Sequence, residues 1–277
     1  MTHGRNEEKF TAACCIIGDE ILNGKTQDSN SHYLAQFLFE RGIELRRIEV
    51  VPDDMEAISN SVRSLSALYD VVFTSGGIGL THDDISYAAI AKAYNLEMKL
   101  DQETFQHVQN MLQKRKAKDA VAKRYDRLAT FPHPARLLRP SPSFMIPIVI
   151  VNDNIYILPG IPRLFRMLLD SLDPHLSGLV KAKTGKDATP FHRAEVATRR
   201  TEGQISAYLS SLQDQVQAQQ IKIGSYPLWG SEEGVRVIVS VTGKNYAAVK
   251  AVAGQIAENI HGWEYVHSYS STSSSKL

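Results

Sequence analysis

Three short strand-like runs, TAACCIIG at 11–18, IELRRIEVV at 43–51 and DVVFTSGG at 70–77, are separated by two stretches long enough for helices. The stretch from Asn30 to Arg41 has helical spacing and ends at Gly42, a residue suited to a helix C-terminus. Met55 to Tyr69 also reads as a helix, and a further one is expected from about Asp84 to Tyr94. Strands alternating with helices in this way imply crossover connections, and crossovers cover a sheet with helices. The expected class is therefore α/β, a mostly parallel sheet with covering helices. Ligands of such sheets lie at the carboxyl ends of the strands. GDEILNGKTQDSN and TSGGIGLTHDD both fall at strand ends, so both are expected to face one crevice.

The second of these stretches sets three glycines ahead of two carboxylates. Glycines let backbone N–H groups approach an anion closely. Carboxylates repel that anion unless a cation lies between them, which makes a divalent metal and a phosphorylated ligand the natural pairing. GGIGLTH lacks the Lys-Ser/Thr of a Walker loop and the third glycine of a dinucleotide fingerprint. A plain tight turn is the alternative, and Asp83 or Asp84 would then simply cap a helix, an effect of about 0.3–1 kcal/mol.

Beyond Leu100 a polar helical region, DQETFQHVQNMLQKRKAKDAVAKRYDRL, carries Lys114, Arg115, Lys116, Lys118, Lys123, Arg124 and Arg127. Only one aromatic residue, Tyr125, falls among these charges, and the 31 Lys plus Arg against 30 Asp plus Glu leave a net charge of only +1. A solvated helix face is expected and no nucleic acid, with one or two cations leaning over the crevice as the alternative. Proline-marked loops FPHPARLLRPSPSF, a strand IPIVIVNDNIYIL and the turn PGIPRLF opening a helix follow.

VKAKTGKDATP, residues 180–190, reads as a linker. Behind it FHRAEVATR, EGQISAYLSSLQDQV, KIGSYPLW, VRVIVSVTG and YAAVKAVAGQIAENI give a βαββα order, expected to form a small α+β second domain with a mainly antiparallel sheet. The expected organisation is an α/β domain at 10–180, a small domain at 190–267, and a disordered serine-rich tail at 268–277. Cys14 and Cys15 are adjacent in an apolar run and suit buried thiols in a reducing compartment. No run approaches the ~20 apolar residues of a membrane span, and the polar start is no signal peptide. A cytoplasmic location is expected, with no membrane partner. The terminal Ser275-Lys276-Leu277 matches a peroxisomal address and makes that destination the alternative.

GDEILNGKTQDSN, VVPDD, TSGGIGLTHDDIS and ILPGIP, in this order, resemble the motifs of the molybdopterin-binding-domain family. That family includes the competence-damage-inducible CinA proteins and the N-terminal half of eukaryotic FAD synthase, and GSYP in the second domain is similar to the same branch. Neither a synthase domain nor an amidase domain follows here, so the resemblance points to the branch associated with hydrolysis of FAD or ADP-ribose. Three departures stand out: Leu80 where the family has proline, Ser86 for its threonine, and RPSPSFMIP where CinA proteins carry an asparagine-to-glycine loop.

The resemblance implies a phosphate cradle of Ser75, Gly76, Gly77, Gly79 and Thr81. Asp84 and Asp83 would bind a divalent ion of the Mg, Mn or Co class. Asp19, Glu20 and Asp28 would complete its shell or hold the attacking water. Asn30 would start a helix and bond the ligand, while Pro159 and Gly160, with Pro162, shape the opposite wall. His82 reads as a turn residue. The implied reaction is FAD plus water giving FMN plus AMP on a small-molecule nucleotide substrate, by a homo-oligomer. No cysteine or serine nucleophile motif is present. Molybdopterin binding or adenylylation, or a non-catalytic flavin- or pterin-binding module, are the alternatives.

Overall fold

The structure, a computed structural model, describes residues 9–114, 125–230 and 234–266, with backbone alone at 112–114. The chain divides into two compact units, Met1–Ala188 and Thr189–Leu277.

In the first unit the order is β1 (Thr11–Ile17), α1 (Asp19–Leu22), α2 (Asn30–Glu40), β2 (Glu44–Val51), α3 (Met55–Leu68), β3 (Val71–Ser75) and α4 (Ser86–Ala93). Then come β4 (Glu97–Leu100), α5 (Gln102–Lys114), β5 (Thr130–His133), β6 (Arg136–Leu138), β7 (Ile148–Val151), β8 (Ile155–Leu158), α6 (Pro162–Ser171) and α7 (Asp173–Thr184). Six strands form one sheet in the order β2-β1-β3-β8-β7-β6, parallel from β2 through β8. The uninterrupted apolar run of β1 suits a central strand covered on both faces, whereas the mixed ELRRIEVV of β2 lies at the edge. Alternate residues of the sheet feed two cores. Cys14, Phe73 and Tyr156 pack under Leu34 and Leu38 of α2 and Phe165 of α6. Cys15, Val72 and Ile157 pack under Ile58 and Val62 of α3 and Ile90 of α4. Burial pushes the Cys14 thiol well up and the Cys15 thiol to about 11, so both are inert packing groups.

Four expectations change. Residues 180–184 of the expected linker belong to α7, which runs to Thr184. IPIVIVNDNIYIL is not one strand but the hairpin β7–β8, because Asn152, Asp153 and Asn154 turn the chain, the first two at left-handed φ of 50° and 58°. The expected loops FPHPARLLRPSPSF supply β5, paired with β4 in a separate two-stranded sheet, and β6, antiparallel to β7. Pro132 sits in β5, a short strand with a single partner, where a missing N–H is tolerated. Helix α4 begins at Ser86 rather than at about Asp84, so the two aspartates precede its first turn.

The second unit contains β9 (His192–Thr198), α8 (Glu202–Val216), β10 (Lys222–Pro227), β11 (Val237–Gly243), α9 (Tyr246–Ile260) and β12 (Trp263–Glu264). Its sheet, β10-β11-β9-β12, is antiparallel at every pairing. Both helices lie on one face, where Leu209, Leu212, Val252 and Ile256 meet Val196, Val239 and Val241. Thr201 and Gln204 close a capping box on α8, and Asn245 caps α9 by accepting from Ala248 N at 3.0 Å. The chain thus has an α/β unit with a mostly parallel sheet and a small unit built on an antiparallel one. Among the described residues no helix is long and apolar enough to cross a membrane. The tail with Ser275-Lys276-Leu277, and Arg115, Lys116, Lys118, Lys123 and Arg124, lie outside the described residues, as does the side chain of Lys114.

Candidate functional site

Strands β1, β3 and β8 are parallel neighbours in register, Ile16 against Ser75 and Ser75 against Leu158. Gly18, Gly76 and Pro159 therefore leave the sheet side by side. Gly76 has φ of 116°, and a Cβ there would lie 2.1 Å from the Ile17 carbonyl oxygen. Only glycine lets these two backbones touch. Gly77, at φ 64°, leaves room for the Ser86 hydroxyl, which a Cβ would approach to 2.2 Å. Ser86 Oγ donates to Gly76 O at 2.8 Å and its N–H to Gly77 O at 2.9 Å. The start of α4 thus holds the turn from behind, and serine supplies the hydroxyl that this needs.

Ahead of that clamp, no hydrogen bond within the described residues engages the backbone N–H of Gly77, Ile78, Gly79 or Leu80. Successive unengaged N–H groups in a glycine turn are an arrangement that can accept an anion. Thr81 ends the run, its N–H and hydroxyl both donating to Asp84 Oδ2 at 2.8 and 2.5 Å. One oxygen of Asp84 therefore closes its own turn. Arg127 reaches the same loop, donating through Nη2 to Asp84 O at 3.0 Å, so one cation of the basic region does lean toward this turn. His82 is fully exposed, with Nδ1 3.9 Å from Asp83 Oδ1.

Asn30, 6 % exposed, braces the crevice from below. Its Nδ2 donates to Ser75 Oγ at 2.9 Å and to Gly160 O at 2.8 Å, while its buried Oδ1 has no partner. Asp28 turns inward as a cap: Oδ1 accepts from the N–H of Asn30 and Ser31 at 2.9 and 3.0 Å, and Oδ2 from Ser31 Oγ.

Acidic groups gather on the other side of the glycine turn. Asp53, at the end of β2, accepts from Asp19 N at 3.0 Å. Burial holds its carboxyl above the usual range, the Asp19 N–H opposes that, and the negative charges of Asp19, Glu20 and Asp83 reinforce it. Glu20 folds back over Gly18, where a Cβ would stand 2.7 Å from its Oε2. In this conformation no three His, Cys, Asp or Glu side chains among the described residues converge into a metal cluster. The donors nonetheless suit a divalent cation: they are hard carboxylate oxygens whose mutual repulsion a positive ion would relieve.

The structure thus aligns Ser75, Gly76, Gly77, Gly79, Thr81, Asn30, Pro159 and Gly160 along one edge, with Asp19, Glu20 and Asp83 near Asp53. Asp28 and Asp84 make local hydrogen bonds. Asp53 is the residue that motif reading passed over. Its signal was available in VVPDD, an acid ending a strand beside the first glycine strand.

The described geometry has known counterparts. Residues 13–177 match the family of the probable molybdopterin binding domain, and residues 190–269 match the FAD synthase middle domain. A probable FAD synthase of Caenorhabditis elegans is 34% identical over 239 residues, which is 80% of this chain and 45% of that protein. A CinA-like protein of Citrifermentans bemidjiense is 34% identical over 174 residues, 61% of this chain and 41% of that protein. The chain spans under half the length of these two relatives. Among solved structures, the CinA protein of unknown function from Thermoplasma acidophilum superposes with a TM-score of 0.54 at 28% identity, over 61% of this chain and 99% of that one. The chain belongs to the molybdopterin-binding-domain family, with a segment of the FAD synthase middle-domain type behind that domain.

Proposed function

We propose that the crevice binds the pyrophosphate of a dinucleotide and hydrolyses it, with FAD plus water giving FMN plus AMP as the leading reaction. One juxtaposition carries the reading: the unpartnered backbone donors of Gly77 to Leu80 beside mutually repelling carboxylates around Asp53. The N–H groups would bind phosphate oxygens, helped by the N-terminal dipole of α4. The carboxylates would repel those oxygens at this range unless a cation intervened. Asp19, Glu20 and Asp83 would hold a divalent ion, which when bound neutralises pyrophosphate charge and acidifies water. Asp53, held above the usual carboxylate range, is suited to accept the proton of the attacking water. The water oxygen bonds to one phosphorus, the anhydride P–O bond breaks, and the departing phosphate leaves as its anion against the turn N–H groups.

The FAD synthase names of the relatives support a flavin nucleotide, while synthesis is named for proteins about twice this length. The description of the first-domain family favours a second reading, binding or adenylylation of a pterin in the same crevice. Chromatography of FAD incubated with the protein and Mg, Mn or Co salts separates them. Equal amounts of FMN and AMP, formed only with the divalent salt, are expected. FAD that binds yet is recovered intact would reject hydrolysis.

A further inference from the structure

Two strands beyond the glycine turn, the same sheet edge carries a cavity that the proposed chemistry leaves unused. Its volume is about 610 Å³, within the range of small-molecule sites, and it lies between α5 and the segment Ser141–Pro147. Strand register fixes its position. Ser75 pairs with Leu158, Ile157 with Val149 and Leu138 with Ile148, so Gly76, Pro159, Pro147 and Arg139 stand level on four adjacent strands. At about 4.8 Å per strand, the cavity mouth is roughly 10–15 Å along the edge from the glycine turn.

The two walls differ in chemistry. Gln102, Gln106 and Asn110 recur every fourth residue along one line of α5, and none of their side-chain amides makes a hydrogen bond among the described residues. Across from them stand Met145, Ile146 and Pro147. The walls are fastened together. His107 Nε2 lies 3.0 Å from Phe144 O, a carbonyl that can only accept, so Nε2 carries the proton. Arg139 bridges to Asp101 at 2.5 Å and Glu103 at 3.1 Å. An apolar wall opposite a row of amides suits a flat heteroaromatic ring, with carbon faces against one side and donor and acceptor atoms at its rim.

We infer that this cavity receives the isoalloxazine ring of the flavin nucleotide whose pyrophosphate lies at Gly76–Leu80. The inference rests on the proposed dinucleotide reading for its occupant. A ribityl arm with its phosphate is an extended chain suited to this span, whereas the ribose ring of an adenosine half holds its base closer to phosphate. The cavity then decides which dinucleotide is chosen.

Binding of the two half-nucleotides tests this without turnover, since FMN and AMP contain no anhydride. The variants are Asn110→Trp, which fills the cavity from an exposed helical position, and Gln106→Leu, which removes a rim partner. Fluorescence polarisation reads FMN, and calorimetry reads AMP and inorganic pyrophosphate. Asn110→Trp should weaken FMN about tenfold or more and Gln106→Leu about threefold, with AMP and pyrophosphate within about twofold. Unchanged melting temperatures and pyrophosphate affinity certify the fold. FMN binding equal to wild type in both variants would overturn the inference, as would loss of AMP instead of FMN. If the wild-type protein leaves FAD intact while Asn110→Trp still loses FMN, the hydrolase reading falls and the ring cavity stands.

Discussion

Two pairs of adjacent aspartates stand at the same edge of the sheet, Asp53-Asp54 after β2 and Asp83-Asp84 after β3. In each pair the second carboxylate secures local backbone. Asp54 caps α3, accepting from Glu56 N and Ala57 N at 3.0 and 2.9 Å. Asp84 ties its own turn through Thr81. The first member of each pair contributes negative charge to the crevice, but unequally. Asp53 is part-buried and pushed above the usual range, whereas the Asp83 side chain is 59% exposed. On the proposed reading, identical dipeptides divide into a structural and a chemical half, and desolvation ranks the chemical halves against each other.

Substitutions can break that division. The largest effect is expected at Asp53→Ala: turnover of FAD should fall about 100-fold or more, the range for losing a general base, against about tenfold for Asp83→Ala. Equal losses measured by product chromatography would erase the ranking. Next comes Gly77→Val, which meets Ser86 and must keep a positive φ. It should destabilise by about 2–3 kcal/mol in urea unfolding, and a smaller change would mean that the clamp behind the turn relaxes easily.

Asp54→Ala should cost about 1 kcal/mol of stability, the worth of an N-cap, and leave turnover within about threefold. A drop in turnover as deep as that of Asp53→Ala would place both members of the pair in the chemistry. The smallest effect is the most diagnostic. Because the folded-state value of Asp53 is raised above its ordinary 3.8, the native protein keeps this proton to higher pH than the unfolded chain. Stability falls as pH rises from the ordinary value through the raised one, and the penalty is fully present above it. Asp53→Asn should therefore melt slightly higher than wild type at pH 7 without divalent salt, and show no such gain near pH 3. A lower melting temperature at pH 7 would contradict the repulsion among these acids.

Much of the architecture was legible because its signals are local. The apolar run of β1 and the Gly42 stop after α2 are read from neighbours in sequence. The hairpin at residues 152–154 was hidden because eight apolar strand residues flank three polar ones, a pattern a single long strand also satisfies; only the two positive φ angles separate the readings. The glycine turn was legible as a motif, yet the reasons for its glycines were not. Gly76 and Gly77 are required by Ile17 and Ser86, contacts the order of letters does not announce. Asp53 was missed since its significance comes from Asp19, Glu20 and Asp83, which approach it only in three dimensions.

The bracing by Asn30 carries a consequence for engineering. One amide group grips the ends of two strands that lie 45 and 130 residues away from it in sequence. Those strand ends cannot be moved or exchanged separately: a TSGGIG turn transplanted without Asn30 and Gly160 arrives with its serine unbraced. The portable unit is three discontinuous segments together, so recombination between distant family members should succeed only where crossover points leave residues 30, 75 and 160 from a single parent.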